Sequence, residues 1–225
     1  MKINEILRDL KDKILYIPDE IFNDLSMLKY KSNKHYGFTV CLYILINYLY
    51  YTCYYNNRLI SNQDIKEILG YNRKEKRIDY IIKQNGLLDS SGYTKMVYDI
   101  PVSVDELLNI NNYSIKYPVK SFYRNLYDSE ITGTYYYHDN TIKISSKTFF
   151  DIINNIDVTG YLIYLYIKKY NPLIIGYVKL SEVLKISKQN LIDKIKILEL
   201  FGYISIEVHK SYPDNDKSNI YRILK

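Results

Sequence analysis

Two short stretches carry the side chains best suited to chemistry on a polyanion. One reads Asn72-Arg73-Lys74-Glu75-Lys76-Arg77; the other reads Ser187-Lys188-Gln189-Asn190, with Lys194 following. Arg and Lys neutralise phosphate and grip guanine, while Asn and Gln offer the side-by-side donor and acceptor that fit adenine. A charge run on a helix is in general no more than a solvated face. These two differ in that each begins directly after a turn. Lys95, Lys210 and Lys217 fall in or beside polar turns between strand-like segments. Phosphate contact and ordinary solvation of a hairpin tip both fit them. Asp214 and Asp216 weaken the second tip as an anion site, and Tyr93 and Tyr212 can pack on a sugar or cap the protein itself.

The other reactive residue types are not grouped for catalysis. His35, His138 and His209 are isolated, so the histidine pair that metal-dependent strand nicking uses is missing. Cys41 and Cys53 do not have zinc spacing, and there is no GxxxxGK[ST] phosphate loop. The chain has 28 tyrosines, against six phenylalanines and no tryptophan. Ile, Lys and Asn are also abundant, and all four types share A/T-rich codons, which points to genome bias before function. A tyrosine nucleophile needs a metal or an Arg/His cluster to activate it. Tyr135–Tyr137, beside His138 and Asp139, is the first place to look for one. The expectation is a protein that is not an enzyme, with no cofactor and no metal.

With 225 residues, 47% of them apolar, the chain can bury two small cores or one large one. The net charge of +6 is compatible with an anionic partner. On one helix Cys41 and Cys53 are roughly three turns apart and on different faces, too far for a disulfide. Two buried thiols fit a reducing compartment, and MKINEILRDLKDKIL has no apolar signal-peptide core. A cytoplasmic location follows. Residues 37–57 carry no charge, but Asn47 and the frequent tyrosines favour a buried core helix over a membrane span.

An internal repeat places these residues. IPDEIFND at 17–24 aligns with ISSKTFFD at 144–151, and CLYILINYLY at 41–50 with YLIYLYIKKY at 161–170. Lys168 and Lys169 in the second copy are a further reason to read both as core helices. NQDIKEILGYN at 62–72 aligns with KLSEVLKIS at 179–187. Ile65, Ile68 and Leu69 correspond to Leu180, Val183 and Leu184, and Asn72 to Ser187. KQNGLL at 83–88 aligns with ELFGYI at 199–204.

Within each copy, apolar residues at helical spacing define a short helix, closed in copy one by Gly70. Asn72 and Ser187 are N-caps for a third helix over 73–85 and 188–201, with Ile78, Ile81 and Ile82, or Leu191, Ile195 and Leu198, facing inward. Gly86 and Gly202 end it, and a strand follows. In copy two, Ile204, Ile206 and Val208 alternate with polar residues, and SYPDNDKSN turns the chain back into IYRIL. In copy one the turn is SSGY at 90–93, between Leu87-Leu88 and a strand at 97–100. Ser103 caps a short helix, VDELLNI, inside a connector that otherwise has no clean period.

Helix, short helix, turn, helix and hairpin is the winged helix-turn-helix order. On IPDEIF and ISSKTFF, the paired core helices and the two turn blocks, the chain resembles the tandem winged-helix replication initiators of bacterial plasmids and related regulators of Gram-positive mobile elements. The fold expectation is α+β, mainly helical, with two such domains in tandem at 1–100 and 141–225 and a connector at 101–140. The resemblance implies sequence-specific binding of repeated or palindromic duplex DNA in plasmid or phage replication or maintenance. A transcriptional repressor and a winged-helix adaptor for other proteins are the alternatives. The implied partners are duplex DNA and host replication or transcription proteins; a homodimer is compatible, and no membrane is involved.

Overall fold

A computed structural model describes residue 8 and residues 13–19, 21–30, 34–49, 62–82, 87–90, 94–96, 116–118, 141–209 and 218–225. The fold is α+β and mainly helical. The chain divides into two compact units. One comprises residues 1–28 and 38–147, the other 29–37 and 148–225.

In the first unit, β1 (Ile14–Pro18) runs antiparallel to β4 (Thr141–Ser145). Leu15 faces Ile144 and Ile17 faces Ile142, and all four are buried, so one side of the ribbon belongs to the core. These strands are repeat equivalents. The shift that aligns Ile17 with Ile144 carries Tyr16 onto Lys143, and those two are partners at the centre of the ladder. The ribbon is therefore locally two-fold symmetric. Each strand leads into a helix, α1 (Ile21–Ser26) and α6 (Ser146–Asn155).

The described part of the uncharged segment lies in α2 (Lys34–Leu49), whose residues from Phe38 onward belong to the first unit. From Val40 to Ile46 every side chain is at most 3% exposed, the signature of a helix enclosed by protein on all sides. Asn47 is tolerated there because its Nδ2 donates to the Tyr43 carbonyl at 2.8 Å. Cys41 is buried and forms no disulfide among the described residues, and Cys53 lies outside them. Among the described residues no helix is long and apolar enough to cross a membrane. The unit continues with α3 (Asn62–Ile68) and α4 (Lys76–Ile82).

Two expectations for this half are corrected. The third helix starts at Lys76, not at 73, because Glu75 supplies its cap and Asn72 folds a local turn instead. No strand follows at Leu87. Residues Leu87–Ser90 form a helical turn, α5, and β2 (Thr94–Met96) pairs with β3 (Lys116–Pro118), inside the segment read as a connector. The hairpin across 90–93 is therefore replaced by a longer-range pairing. Gly86, the strand expected at 97–100 and the helix expected after Ser103 lie outside the described residues.

The second unit is built on α7 (Val158–Lys169), capped by Asp157, whose carboxylate accepts from the Gly160 amide at 2.8 Å. β5 (Leu173–Ile175), α8 (Tyr177–Val183), α9 (Lys188–Leu200), β6 (Ile204–His209) and β7 (Ser218–Ile223) follow. The strands form one antiparallel sheet in the order β5-β7-β6. Leu191, Ile195 and Leu198 are fully buried, as their spacing predicts. Gly202 adopts φ +68 and ends α9. The alternation expected along β6 decays, since Ile204 is buried while Val208 is 67% exposed near the hairpin tip. β5 was not anticipated.

Gly160 makes a sharp packing test. A Cβ there would stand 2.6 Å from Ile156 Cγ2 and 3.1 Å from Ile156 Cβ. Atoms that near the backbone cannot swing aside. Gly160→Ala gains about 1 kcal/mol of helix propensity and loses roughly 1–3 kcal/mol to overpacking. Urea unfolding should show net destabilisation; a stabilised variant would refute the clash.

Candidate nucleic-acid interface

The two turn blocks end their first helices identically. In the first unit Gly70 has φ +72, its amide donates to the Glu67 carbonyl, and Tyr71 donates to the Lys66 carbonyl at 2.7 Å. In the second, Lys185 has φ +55, its amide donates to Glu182, and Ile186 donates to Ser181 at 3.0 Å. Both are left-handed helix ends with the same pair of closing bonds. A lysine at this position is strained where glycine is not. The Lys185 ammonium lies 5.6 Å from the Tyr30 ring and 5.8 Å from the Tyr36 ring, within cation–π range, which offsets part of that strain.

After the turn the copies diverge. Ser187 is extended, and its hydroxyl accepts from the Asn190 amide at 3.4 Å, so it caps α9 as its residue type predicts. Asn72 accepts instead from the Lys74 amide at 2.7 Å, an Asx-type turn. Arg73 and Lys74 therefore project from a turn, and Lys76 opens α4; all three are exposed. Arg73 makes only a long 3.7 Å contact to Glu67 and is 79% exposed.

Arg77 is held differently. Its Nε and Nη2 donate to the two Glu75 carboxylate oxygens at 2.8 and 2.6 Å, and its amide donates to Glu75 Oε1 at 2.8 Å. Its guanidinium lies 4.2 Å over the Phe38 ring. Side-chain hydrogen bonding from Arg77, outweighing some desolvation, holds the Glu75 carboxyl at about 2 against an ordinary 4.5. A depressed folded pKa means that this stabilisation is present above about pH 4.5 and is lost as pH falls toward 2. Glu75→Gln should cost about 1–2 kcal/mol at neutral pH, since the guanidinium is partly solvent-screened. The gap between wild type and variant in urea midpoint should close across that acid window. A gap independent of pH would show that the pair does not carry the effect.

Lys66, 5% exposed, ties the first block together. Its ammonium donates to Asp79 Oδ2 at 2.7 Å and to the Arg73 carbonyl at 3.0 Å, linking α3, the turn and α4. The hydroxyl of the equivalent Ser181 donates within its own helix, to the Val178 carbonyl at 2.7 Å.

On α9, Lys188 and Gln189 are exposed and Asn190 is half-buried. Lys194 is 19% exposed and salt-bridged to Asp157 at 2.8 Å. Opposite the buried line of Leu191, Ile195 and Leu198 stand Gln189, Asp193 and Lys196, all exposed. Asp193 and Lys196 were not singled out in the sequence. Stepping at helical period from Gln189 would have found them. Lys95 lies on β2, but its side chain, like all of Lys210 and Lys217, falls outside the described residues, as do His138, Asp139 and the tyrosines before them. Among the described residues no group of His, Cys, Asp or Glu is arranged to hold a metal ion.

No family model, no curated protein and no solved structure matches this chain.

Proposed function

We propose that the chain binds duplex DNA through two winged helix-turn-helix units in tandem and serves replication initiation or maintenance of a plasmid or phage. The observation that carries this reading is the recurrence of one turn geometry. A left-handed residue at 70 and at 185 closes a short helix, and exposed cations come immediately after it. In the second unit the element order of helix, strand, helix, helix and hairpin, with β5 pairing β7, supports the winged form. Arg73, Lys74, Lys76, Lys188 and Lys196 are the phosphate contacts in this reading. Arg77 and Lys194 act as braces, because each is already engaged by a carboxylate. The role in a mobile element rests on the likeness to tandem winged-helix initiators.

The purified chain should retard a duplex from the region around its own gene in excess random competitor, with EDTA present. It should leave supercoiled and single-stranded DNA uncut in magnesium or manganese. Retardation abolished by competitor, or a covalent tyrosyl-DNA adduct, would refute the proposal.

A further inference from the structure

The outward line of α9 mixes charges in a way that phosphate binding alone does not explain. Asp193 stands at its centre, where a carboxylate would repel a polyanion. Its engagement suggests why it is there. Gln189 Nε2 donates to Asp193 Oδ1 at 2.8 Å, one helical turn apart. We infer that Gln189 reads an adenine in the major groove and that Asp193 is the positioning residue that fixes which way its amide faces. This deepens the duplex-binding reading above and rests on it.

The chemistry follows from counting donors and acceptors. A glutamine amide has two N–H donors on nitrogen and an acceptor oxygen. A free amide can rotate at little cost, aiming either its two N–H donors or one donor beside the acceptor oxygen at a base. The Asp193 carboxylate only accepts. With one Nε2 hydrogen bound to Oδ1, turning the amide over would set Oε1 against a carboxylate oxygen, acceptor against acceptor. The remaining N–H and the carbonyl oxygen are then left side by side. Adenine alone offers the matching edge, an N7 acceptor beside an N6–H2 donor. Guanine shows two acceptors, N7 and O6, and would oppose Oε1. Lys188 and Lys196, both exposed, supply the flanking positive charge that Asp193 does not.

Placement agrees with this role. Gln189 is the second residue of α9, at the end that a recognition helix presents to base edges. Lys194, on the flank, is held by Asp157, and the helix start is steadied by the Asn190 backbone amide, which donates to the Ser187 hydroxyl.

The test uses the full chain. Duplexes are selected from a randomised pool, and titrations then use the selected site with each base pair replaced in turn. Wild type should select an A·T pair whose replacement by G·C weakens binding roughly 5- to 150-fold. Gln189→Ala should erase discrimination at that position and spare the others. Asp193→Ala should erode the same position, through tolerance of guanine, without weakening binding to random duplex. Asp193→Glu still accepts from the amide and should retain the preference. Thermal unfolding confirms that each variant is folded, and neither side chain is in the core. The inference is overturned if Asp193→Ala leaves adenine preference intact. It is equally overturned if the loss falls on a cytosine position, which would make Asp193 the reader, or if wild type binds duplex without base preference. Failure of wild type to bind any duplex would overturn the underlying reading as well.

Discussion

Under the proposed function, affinity for duplex DNA should fall about 500-fold as monovalent salt rises from about 50 to about 200 mM, because bound cations displace condensed counterions from the phosphates. Arg73, Lys74, Lys76, Lys188 and Lys196 are exposed cations on the two candidate faces. At about −0.9 per neutralised phosphate, these give a log-log slope near −4.5. Lys74→Ala should reduce the slope by about one unit and weaken all sequences alike. Arg77→Ala and Lys194→Ala should leave the slope unchanged, since Glu75 and Asp157 already neutralise those charges. Fluorescence anisotropy across a salt series checks this. A flat profile removes phosphate contact from the mechanism; a slope that responds to Arg77 but not to Lys74 reverses the assignment of contacts and braces.

The second large effect is an asymmetry between the partners of one ion pair. Lys66 is buried, whereas the Asp79 side chain is 42% exposed. Asp79→Ala strands an ammonium in the protein with the Arg73 carbonyl as its one remaining partner in that network, at a cost of roughly 3 kcal/mol. Lys66→Met keeps most of the apolar stem, and the carboxylate it abandons can rehydrate, so the cost stays near 1 kcal/mol. Urea unfolding of both variants reads the difference directly. Equal costs, or a larger cost for the methionine, would mean that the stem and not the charge holds α3 to α4. Because Lys66 also grips the Arg73 carbonyl, Asp79→Ala should loosen the cationic turn and weaken duplex binding beyond what folding loss explains.

What local rules decide was readable from the chain itself. The spacing of Leu191, Ile195 and Leu198 names the buried face of α9 because a helix repeats every 3.6 residues whatever lies outside it. Ser187 caps and Gly202 terminates because cap chemistry and positive φ are properties of one or two residues. The uncharged stretch from Phe38 to Leu49 had to be enclosed, and the repeat pairs the turn after Gly70 with the turn after Lys185.

Where residues distant in the chain, or competing neighbours, choose the outcome, only the tertiary structure could decide. The three residues of β5 are too few to show a period, and they are a strand because β7 lies beside them. β2 pairs with β3 about twenty residues on because strand pairing is settled by the surface available, not by separation in sequence. Asn72 had the right chemistry for a cap and lost that place to Glu75, whose carboxylate binds both the Arg77 amide and its guanidinium. Arg77 and Lys194 look like free cations in the sequence, but Glu75, two residues back, and Asp157, on another helix's cap, have already claimed their charges. Charge is written in the sequence; its availability is set by which counter-charge the fold brings within about 3 Å, where Coulomb attraction and hydrogen bonding outweigh solvation by water.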